Sequence, residues 1–356
     1  MRIALYACGG EHDRSEAQTP LGLRYLVSNC TGADIRIETD RERLNDYDLI
    51  GLGAPVAGLR EAVEILASAK RPVIVGGHGT LWEGLAKYPF AHIVIGEGER
   101  ALQRIIDGNA PRVLREPLIE DVDSIAFPDR SGMEGNTTVR ILTSRGCPWH
   151  CAFCSSSAFW GSTRFHSPGY FMAELAEAMR IQPKGKHLYI LDDLFVANEK
   201  RFYEIAELYL AAGYHKRLTV ASYIRSNTFN RALGLKLKEM NFINVRFGGE
   251  SASNRVLKLL GKHTTVEDHQ RTIDLCNEIG LPVTAAWMFK IPGETPEDAR
   301  ATVEFIERNK DKCGNGGRYT FRAFPGTPMY RGENPLTDEM DFRWWGDPRK
   351  AIGGAA

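Results

Sequence analysis

The sequence predicts an α/β protein built on two parallel sheets. Strand-like apolar runs alternate with helix-like apolar stripes along most of the chain, which is typical of parallel sheets covered by helices. A stretch rich in prolines, glycines and acids, with little periodicity, interrupts this alternation. We therefore expect a Rossmann-like, doubly wound domain over 1–107, a linker over 108–138, a partial (β/α)6 barrel of the TIM type over 139–330 and a C-terminal tail over 331–356.

The first half contains five strand-like runs, and several of them end in glycines. The runs are 2–7, 34–37, 48–53, 72–79 and 92–99. Open parallel sheets bind ligands at the carboxyl ends of their strands, so the glycines mark a candidate ligand edge. Tight strand-to-helix turns are the alternative explanation for them. No complete dinucleotide fingerprint is present, so a nicotinamide domain has little support.

The second half contains six strand-like runs separated by helical stripes. The runs are 139–143, 187–191, 218–222, 243–247, 282–291 and 318–324. Six β/α units make an open barrel, two units short of the full eight. Since chemistry in such barrels gathers at the carboxyl ends of the strands, we expect the functional residues to follow these runs. The tail, with Trp344-Trp345, is expected to cover the open end.

Three cysteines follow the first barrel strand with gaps of three and two residues: Cys147, Cys151 and Cys154. Three thiolates on a cube-shaped [4Fe–4S] cluster leave one iron open to a non-protein ligand. A structural zinc with His150 or His166 as fourth ligand is the alternative, although zinc motifs usually add a second short cysteine spacing. Disulfides are disfavoured because the N-terminal apolar run is too short for an export signal, and we expect a cytoplasmic protein with reduced thiols.

The segment 143–154, Thr-Ser-Arg-Gly-Cys-Pro-Trp-His-Cys-Ala-Phe-Cys, resembles the cluster loop of radical S-adenosylmethionine (SAM) enzymes. The resemblance implies that Cys147, Cys151 and Cys154 hold a [4Fe–4S] cluster whose open iron is chelated by SAM. It also implies reductive cleavage of SAM to a 5′-deoxyadenosyl radical. An electron donor of low potential, a flavodoxin or a ferredoxin, is then required.

Other strand ends resemble SAM-binding segments of the same family. The implied cofactor-binding residues are Phe153, Asp192, Asp193, Ser222, Arg225, Glu250 and Lys290. The paired aspartates would accept hydrogen bonds from the SAM amino group, although adjacent acids also start helices. Arg225 would clamp a carboxylate, with a solvent-facing arginine as the alternative. Glu250 would accept from the ribose, and Lys290 stands beside the adenine where relatives commonly have glycine.

The first half resembles the cobalamin-binding domain that precedes the barrel in one large branch of this family. The matching segments are 20–23, 48–51, 75–78 and 96–99, with a similar linker over 123–130. The candidate cobalamin-binding residues are Gly51, Gly53, Gly76, Gly77, Gly96 and Glu97. The Asp-x-His-x-x-Gly motif that supplies an axial histidine in some relatives is absent from 1–125. Members of this branch often bind cobalamin without it.

The expected activity is that of a radical SAM enzyme that functionalises an unactivated carbon, with cobalamin-dependent C-methylation preferred. The alternatives are a radical rearrangement, cyclisation or epimerisation with or without cobalamin and, from another class, a non-catalytic metal or redox sensor. Lys+Arg and Asp+Glu number 45 each, so no basic footprint for nucleic acid stands out. No apolar run approaches the ~18 residues of a membrane span. A small molecule or a peptide is the expected substrate, and no catalytic side chain is assigned.

Overall fold

A computed structural model describes residues 1–9 and 20–337. Two parallel sheets form the framework, as the sequence predicts. Each has six strands, and a short antiparallel pair, which was not predicted, is added to them. The Trp344-Trp345 segment, predicted to cover the barrel, lies outside the described residues. No described helix combines the length and the apolar character that crossing a bilayer requires.

The first sheet has the strand order β2-β1-β3-β4-β5-β6. Its strands are β1 (Arg2–Ala7), β2 (Asp34–Ile37), β3 (Leu49–Gly53), β4 (Val73–Gly76), β5 (His92–Val94) and β6 (Val113–Leu114). Its helices are α1 (Leu21–Asn29), α2 (Leu59–Ser68) and α3 (Gly98–Ile106). Side chains alternate between the two faces of the strands. Ile50 therefore joins a core with α2, while Ile74 joins a separate core with α1 and α3. The sheet is doubly wound.

One strand of this sheet lies inside the segment predicted to be a linker. Val113–Leu114 pairs with Ile93 and Val94 and forms the sheet edge. A strand of two residues is too short to show periodicity, so no pattern in the sequence indicates this one. The remainder of 108–138 contributes Ile119, Val122 and Ile125 to a small core with α1. Leu142 and Leu191 of the barrel pack against the same core, so this segment joins the two halves.

The second sheet has the order β14-β13-β12-β11-β10-β7. Its strands are β7 (Thr138–Ile141), β10 (His187–Ile190), β11 (Thr219–Tyr223), β12 (Phe242–Glu250), β13 (Val283–Phe289) and β14 (Gly314–Thr320). All neighbouring pairs are parallel. Because β7 and β14 are both edges, the barrel is open, as six units predict.

Up to residue 337, where the described part of this half ends, it contains seven helices: α4 (Ser155–Trp160), α5 (Pro168–Ile181), α6 (Glu199–Ala211), α7 (Arg231–Glu239), α8 (Asn254–Leu259), α9 (Val266–Ile279) and α10 (Pro296–Arg308). Side-chain caps start several of them. Thr265 forms a capping box with Asp268 before α9, and Thr295 forms one with Asp298 before α10. Such caps satisfy backbone donors that have no partner in the first turn, which explains why α9 begins at Val266 and α10 at Pro296.

Candidate active site at the junction of the two sheets

Residues 146–154, which carry the three cysteines and are called the cysteine loop below, lie over the carboxyl ends of the barrel strands. We call this end of the barrel its mouth. The loop is held there by backbone contacts. A two-stranded pair, β8 (Ser144–Arg145) with β9 (Arg164–Phe165), frames its base. Gly146 follows with φ +87°, where an added Cβ would lie 2.6 Å from the Ser162 carbonyl oxygen. Ala152 donates to the Leu260 carbonyl at 2.8 Å, and its own carbonyl accepts from Met329 at 3.1 Å. The loop is therefore fixed from two sides of the barrel.

Cys147, Cys151 and Cys154 are free thiols, and Cys151 is buried. Burial raises the pKa of Cys147 and raises that of Cys154 to about 11, with the nearby Asp193 charge adding to both. Since only thiolates bind iron or zinc, a bound metal must supply the compensating positive charge. Among the described residues, no three Cys, His, Asp or Glu side chains are placed to share one metal ion. A cube-shaped cluster takes each thiolate on a different iron.

The histidines considered as zinc ligands give that alternative no support. The His166 ring is stacked on Tyr170 at 4.0 Å and its Nδ1 lies 3.2 Å from Asp123 Oδ1. His150 is exposed. Neither environment is that of a fourth ligand completing a closed tetrahedral site.

Arg225 lies beside the cysteine loop and is only 7% exposed, so the solvent-facing alternative is wrong. Its guanidinium stacks over the Trp149 ring at 4.0 Å. Nη1 is 3.7 Å from Cys151 Sγ, and Nε donates to Asn227 at 3.0 Å. Nη2 is buried and has no hydrogen-bond partner among the described residues. A buried donor without a partner is costly, so this atom is positioned for an acceptor that enters the mouth.

The two aspartates after β10 have different environments. Asp192 is fully enclosed and accepts from the Thr143 N–H and hydroxyl, both at 2.5 Å, and from the Ser144 N–H. It therefore ties β10 to the start of the cysteine loop. Asp193 is exposed and accepts from the Ser156 hydroxyl. Of the pair, Asp193 is the carboxylate that faces the mouth.

Glu250 ends β12 in a left-handed conformation, with φ +64°. Its carboxylate accepts from Lys262 Nζ at 2.8 Å, and the same ammonium lies 5.7 Å from the centre of the Phe153 ring. Glu250, Lys262 and Phe153 thus gather at the carboxyl end of β12. Lys262 was not predicted, because a lone lysine between two helices carries no sequence signal.

The remaining two predicted cofactor residues lie apart from this group. Ser222 is buried on the core-facing side of β11, beside Val220, and donates to the Ile190 carbonyl at 3.3 Å. Lys290 is exposed at the end of β13 and has φ +60°. That conformation favours glycine, which matches the glycine that relatives commonly have at this position. Its N–H donates to Glu294 at 2.7 Å.

A cavity of about 400 Å³ opens at the carboxyl edge of the first sheet and reaches the cysteine loop. All six candidate cobalamin residues line it: Gly51, Gly53, Gly76, Gly77, Gly96 and Glu97. Three of these glycines share the face of the sheet that carries Ile74, between the strands and helices α1 and α3. Without side chains there, the layer between sheet and helices stays open. Leu142, Phe159 and Trp160 form the barrel side of the cavity.

A buried ion network connects this cavity to the cysteine loop, and sequence reasoning missed it. Arg145, two residues before Cys147, pairs with Glu97 and with Glu99 at 2.6 Å. Glu97 also pairs with Arg164 at 2.7 Å and accepts from the Ile119 N–H. All four charged side chains are buried. The Glu97 carboxylate therefore connects the first sheet to the segment that leads into the cysteine loop.

His78 is a second cavity residue that carried no prediction of its own. Its ring stacks on Phe159 at 4.0 Å, and Nδ1 lies 3.3 Å from the Ser155 hydroxyl, directly after Cys154. Burial lowers the pKa of His78 to about 4, so the ring is neutral near pH 7. Gly77 before it has φ +94°, and a Cβ there would lie 2.9 Å from the Ala54 carbonyl oxygen. The turn that presents His78 thus requires glycine.

Residues 141–306 match the radical SAM superfamily. The match runs from the end of the first barrel strand into the last helix and includes the three cysteines. A radical SAM domain implies a [4Fe–4S] cluster and SAM as cofactors, as the cysteine spacing predicts.

Comparison with known proteins extends the similarity to the first sheet. An uncharacterized methyltransferase of Pyrococcus horikoshii is 29% identical over 81% of this chain and 73% of its own length. The anaerobic magnesium-protoporphyrin IX monomethyl ester cyclase of Rubrivivax gelatinosus is 22% identical over 87% of this chain. The chain spans 63% of that relative's length.

The solved structure of TsrM from Kitasatospora setae, a radical SAM methyltransferase, superposes with a TM-score of 0.72. The aligned regions cover 92% of this chain and 74% of TsrM, with 18% sequence identity. TsrM has also been solved with cobalamin and a [4Fe–4S] cluster bound. The similarity confirms the predicted fold, with a Rossmann-like domain ahead of a partial barrel.

Proposed function

We propose that the protein is a radical SAM enzyme that functionalises an unactivated carbon of its substrate by cobalamin-dependent C-methylation. The observation that carries this proposal is the position of the cysteine loop. Arg145, two residues before Cys147, and Trp160, in the helix after Cys154, line the glycine-rich cavity of the first sheet, while Arg225 of the barrel contacts Cys151. The radical SAM match over 141–306 supports the cluster and SAM, and the methyltransferase names of similar proteins support the reaction type.

The mouth of the barrel offers the contacts that SAM needs. When bound, the cluster supplies the electron that cleaves SAM. The buried Nη2 of Arg225 is placed to donate to the SAM carboxylate, since a guanidinium forms strong hydrogen bonds with carboxylates. Asp193 is the acceptor available for the amino group. Glu250 is the acceptor for the ribose hydroxyls, with Lys262 holding its carboxylate in place.

The cavity of the first sheet has the features expected of a cobalamin site. When bound there, cobalamin supplies the methyl group. Gly51, Gly53 and Gly76 keep the space between the sheet and helices α1 and α3 open, and the lining is mostly apolar. Large cofactors bind in concave, mostly apolar sites of this kind. Because Phe159 and Trp160 belong to the helix that follows Cys154, this site would face the SAM site directly.

The site also requires partners that are not part of this chain. Reduction of the cluster needs an electron donor of low potential, and a flavodoxin or a ferredoxin fits that role. Enclosure of the mouth would exclude water, which protects a reactive intermediate from wrong donors. Cytoplasmic location fits the need for reduced thiols.

The first test is product formation after anaerobic reconstitution with iron and sulfide. With dithionite and SAM, we expect 5′-deoxyadenosine and methionine in equal amounts. A zinc site or a non-catalytic sensor would give neither product, which would overturn the proposed enzyme.

The second test isolates the cobalamin site with two matched variants. A Cβ on Gly76 meets only Val94, with the Val94 Cβ at 3.8 Å and the carbonyl oxygen at 4.0 Å, both ordinary contacts, so we expect Gly76→Leu to fold and to place an isobutyl group in the cavity. A Cβ on Gly135 meets nothing within 4 Å, and Gly135→Leu serves as the control outside the cavity. We expect wild type and Gly135→Leu to retain the corrin absorbance after gel filtration and Gly76→Leu to lose it. Equal retention by both variants would contradict this cavity as the cobalamin site, and no retention by wild type would contradict methyl transfer from cobalamin.

A further inference from the structure

The lumen of the barrel has a chemistry different from its mouth. Val139, Leu188, Val220, Val245 and Ala285 belong to the core between the strands and the surrounding helices. Because side chains alternate along a strand, their neighbours in sequence point into the lumen. The lumen side chains used below are Arg140, Tyr189, Tyr223, Asn244, Arg246 and Tyr319.

Strand register places these side chains in adjacent rows. Arg140 lies beside Tyr189 on the neighbouring strand, Tyr189 lies beside Ala221, and Ala221 lies beside Asn244. These four residues form the lower row. One step higher, Tyr223 pairs with Arg246. The Arg246 guanidinium contacts the lower row, since it lies 5.5 Å from the centre of the Tyr189 ring. Across β13, Tyr319 pairs with Met288 and adds a third tyrosine to the same side. Two arginines and three tyrosines thus line one face of the lumen.

The charge of this lining is one-sided. Across all six strands as the structure describes them, the only acidic residue is Glu250, at the upper end of β12. Arg246 has no carboxylate within ion-pair distance in the described part of the chain. Its guanidinium is half-buried. A charge in such a place is stabilised mainly by a partner of opposite sign, and the lumen itself provides none for Arg246.

Open space lies beside Arg246. A cavity of about 180 Å³ at the amino-terminal ends of β10, β11 and β12 is bounded by Arg246, Tyr189, Ala221 and His187, among others. This volume suits one ring or a short side chain, not a whole cofactor. Tyr223 and Tyr319 are partly open to solvent, with 39% and 37% of their surface exposed. Tyrosine rings that face open space on two strands offer flat surfaces for another ring.

We propose that the substrate of this enzyme carries a carboxylate on an aromatic or other flat conjugated framework, and that Arg246 binds this carboxylate. The proposal rests on the radical SAM function proposed above and names its substrate class. Acidic side chains occur at the mouth, where Asp193 is the proposed acceptor for the SAM amino group and Glu250 the proposed acceptor for the ribose hydroxyls. The cationic Arg246 stands four residues below Glu250, ~13 Å along the strand. An anionic end would be drawn down to Arg246 while the reacting carbon stays near the mouth.

The test compares a charged probe with its neutral counterpart on the reconstituted protein with SAM present. The probes are 1-naphthylacetate and 1-naphthylacetamide, which share ring size and shape and differ in charge. Binding is measured by isothermal titration or by saturation-transfer NMR. We expect the carboxylate to bind about tenfold more tightly than the amide, as a hydrogen-bonded ion pair typically provides.

Variants at Arg246 assign this selectivity to one side chain. Arg246→Met keeps the stem and removes the charge, and should bring the carboxylate to the affinity of the amide while leaving the amide unchanged. Arg180→Met, which removes an exposed arginine of α5, serves as the control and should change neither. Melting temperatures show whether each variant is folded. Equal binding of both probes by wild type, no binding of either, or a loss of both in Arg246→Met would overturn the proposal.

A separate measurement distinguishes this proposal from the proposed function. The same preparations are assayed for 5′-deoxyadenosine formed from SAM and dithionite without substrate. Selective carboxylate binding without that product would contradict the radical SAM function and leave the lumen site in place. Formation of 5′-deoxyadenosine without selective binding of the carboxylate probe would support the radical SAM function and contradict the lumen site. The control Arg180→Met should retain this uncoupled cleavage, because Arg180 is exposed on α5, away from the barrel lumen.

Discussion

The carboxyl edges of two parallel sheets meet in this molecule, and they differ in chemistry. The edge of the first sheet is built from glycines and apolar side chains around a cavity of about 400 Å³. The edge of the second carries three thiols, an arginine with a buried unpartnered nitrogen and two acids. Both follow the rule that ligands gather where parallel strands end. The parallel topology therefore determines where ligands bind, and the side chains at each edge determine which ligand binds there. At the first edge the selection is by the shape of the cavity, and at the second it is by charge and by thiolate coordination.

The largest effect is expected from removing one thiol at the barrel edge. Cys151→Ala leaves two ligands, and we expect loss of bound iron and a fall in SAM cleavage of more than about 100-fold, since even residues behind metal ligands are worth 10–100-fold. Corrin retention by the first sheet should persist. Cys313→Ala, which removes a lone cysteine outside the loop, is the control. Iron content equal to wild type in Cys151→Ala would show that the loop is not the cluster site.

The buried ion network around Arg145, which connects the two edges, should show the next largest effect of a substitution. Arg145→Met leaves Glu99 without the arginine that pairs with it at 2.6 Å, and a buried charge left unpaired costs about 3–5 kcal/mol. Arg231→Met, which breaks an exposed pair with Glu278, should cost only about 0–1 kcal/mol. Urea unfolding of the metal-free proteins measures both. Similar values for the two variants would mean that the network does not stabilise the junction.

Acid should weaken the fold through buried neutral histidines. Burial lowers the pKa of His269, on the barrel side, and of His166, at the joint, to about 4 each, against about 6.5 in an unfolded chain. Between pH 6.5 and 4 the unfolded state therefore binds more protons, and stability falls as pH falls.

The contribution of one histidine can be isolated by substitution. His269→Gln should reduce the slope of unfolding free energy against pH by up to about 1.4 kcal/mol per unit in that window. Identical slopes in His269→Gln and wild type, measured by urea unfolding, would contradict the neutral buried state.

The smallest effect concerns the backbone at the rim of the barrel. Lys290 has φ +60°, which costs a residue with a Cβ about 1–2 kcal/mol, while glycine pays about 0.5–1 kcal/mol of chain entropy. Lys290→Gly should therefore be more stable than Lys290→Ala by roughly 0.5–1 kcal/mol. Both variants lose the lysine side chain, so the difference between their melting temperatures reports the effect of the backbone conformation at this position. Greater stability of the alanine variant would count against a strained rim.

Much of the fold could be predicted from sequence because its signals are local. Strand runs ending in glycine, the two capping boxes and the cysteine spacing all lie within short windows. The open barrel followed from counting six units. Strand β6 was not predictable, since Val113–Leu114 is held by its partner strand and not by its own pattern.

The site was harder to predict where a residue depends on distant partners. The network of Arg145 joins residues 46 and 48 positions apart in the chain, and no local pattern announces such a pairing. The acidic pair Glu97-x-Glu99 was visible in the sequence, but its burial against an arginine was not. Asp192 and Asp193 look equivalent in sequence, yet one ties the loop to β10 and the other faces the mouth. The lumen position of Arg246 follows only from strand register.

The central claim is that the three thiols hold a [4Fe–4S] cluster with an iron open to SAM. Electron paramagnetic resonance of the anaerobically reconstituted, dithionite-reduced protein tests it most directly. We expect the signal of a reduced [4Fe–4S] cluster, and a change in that signal when SAM is added. A protein that contains zinc instead of iron, or a cluster signal that SAM leaves unchanged, would contradict it.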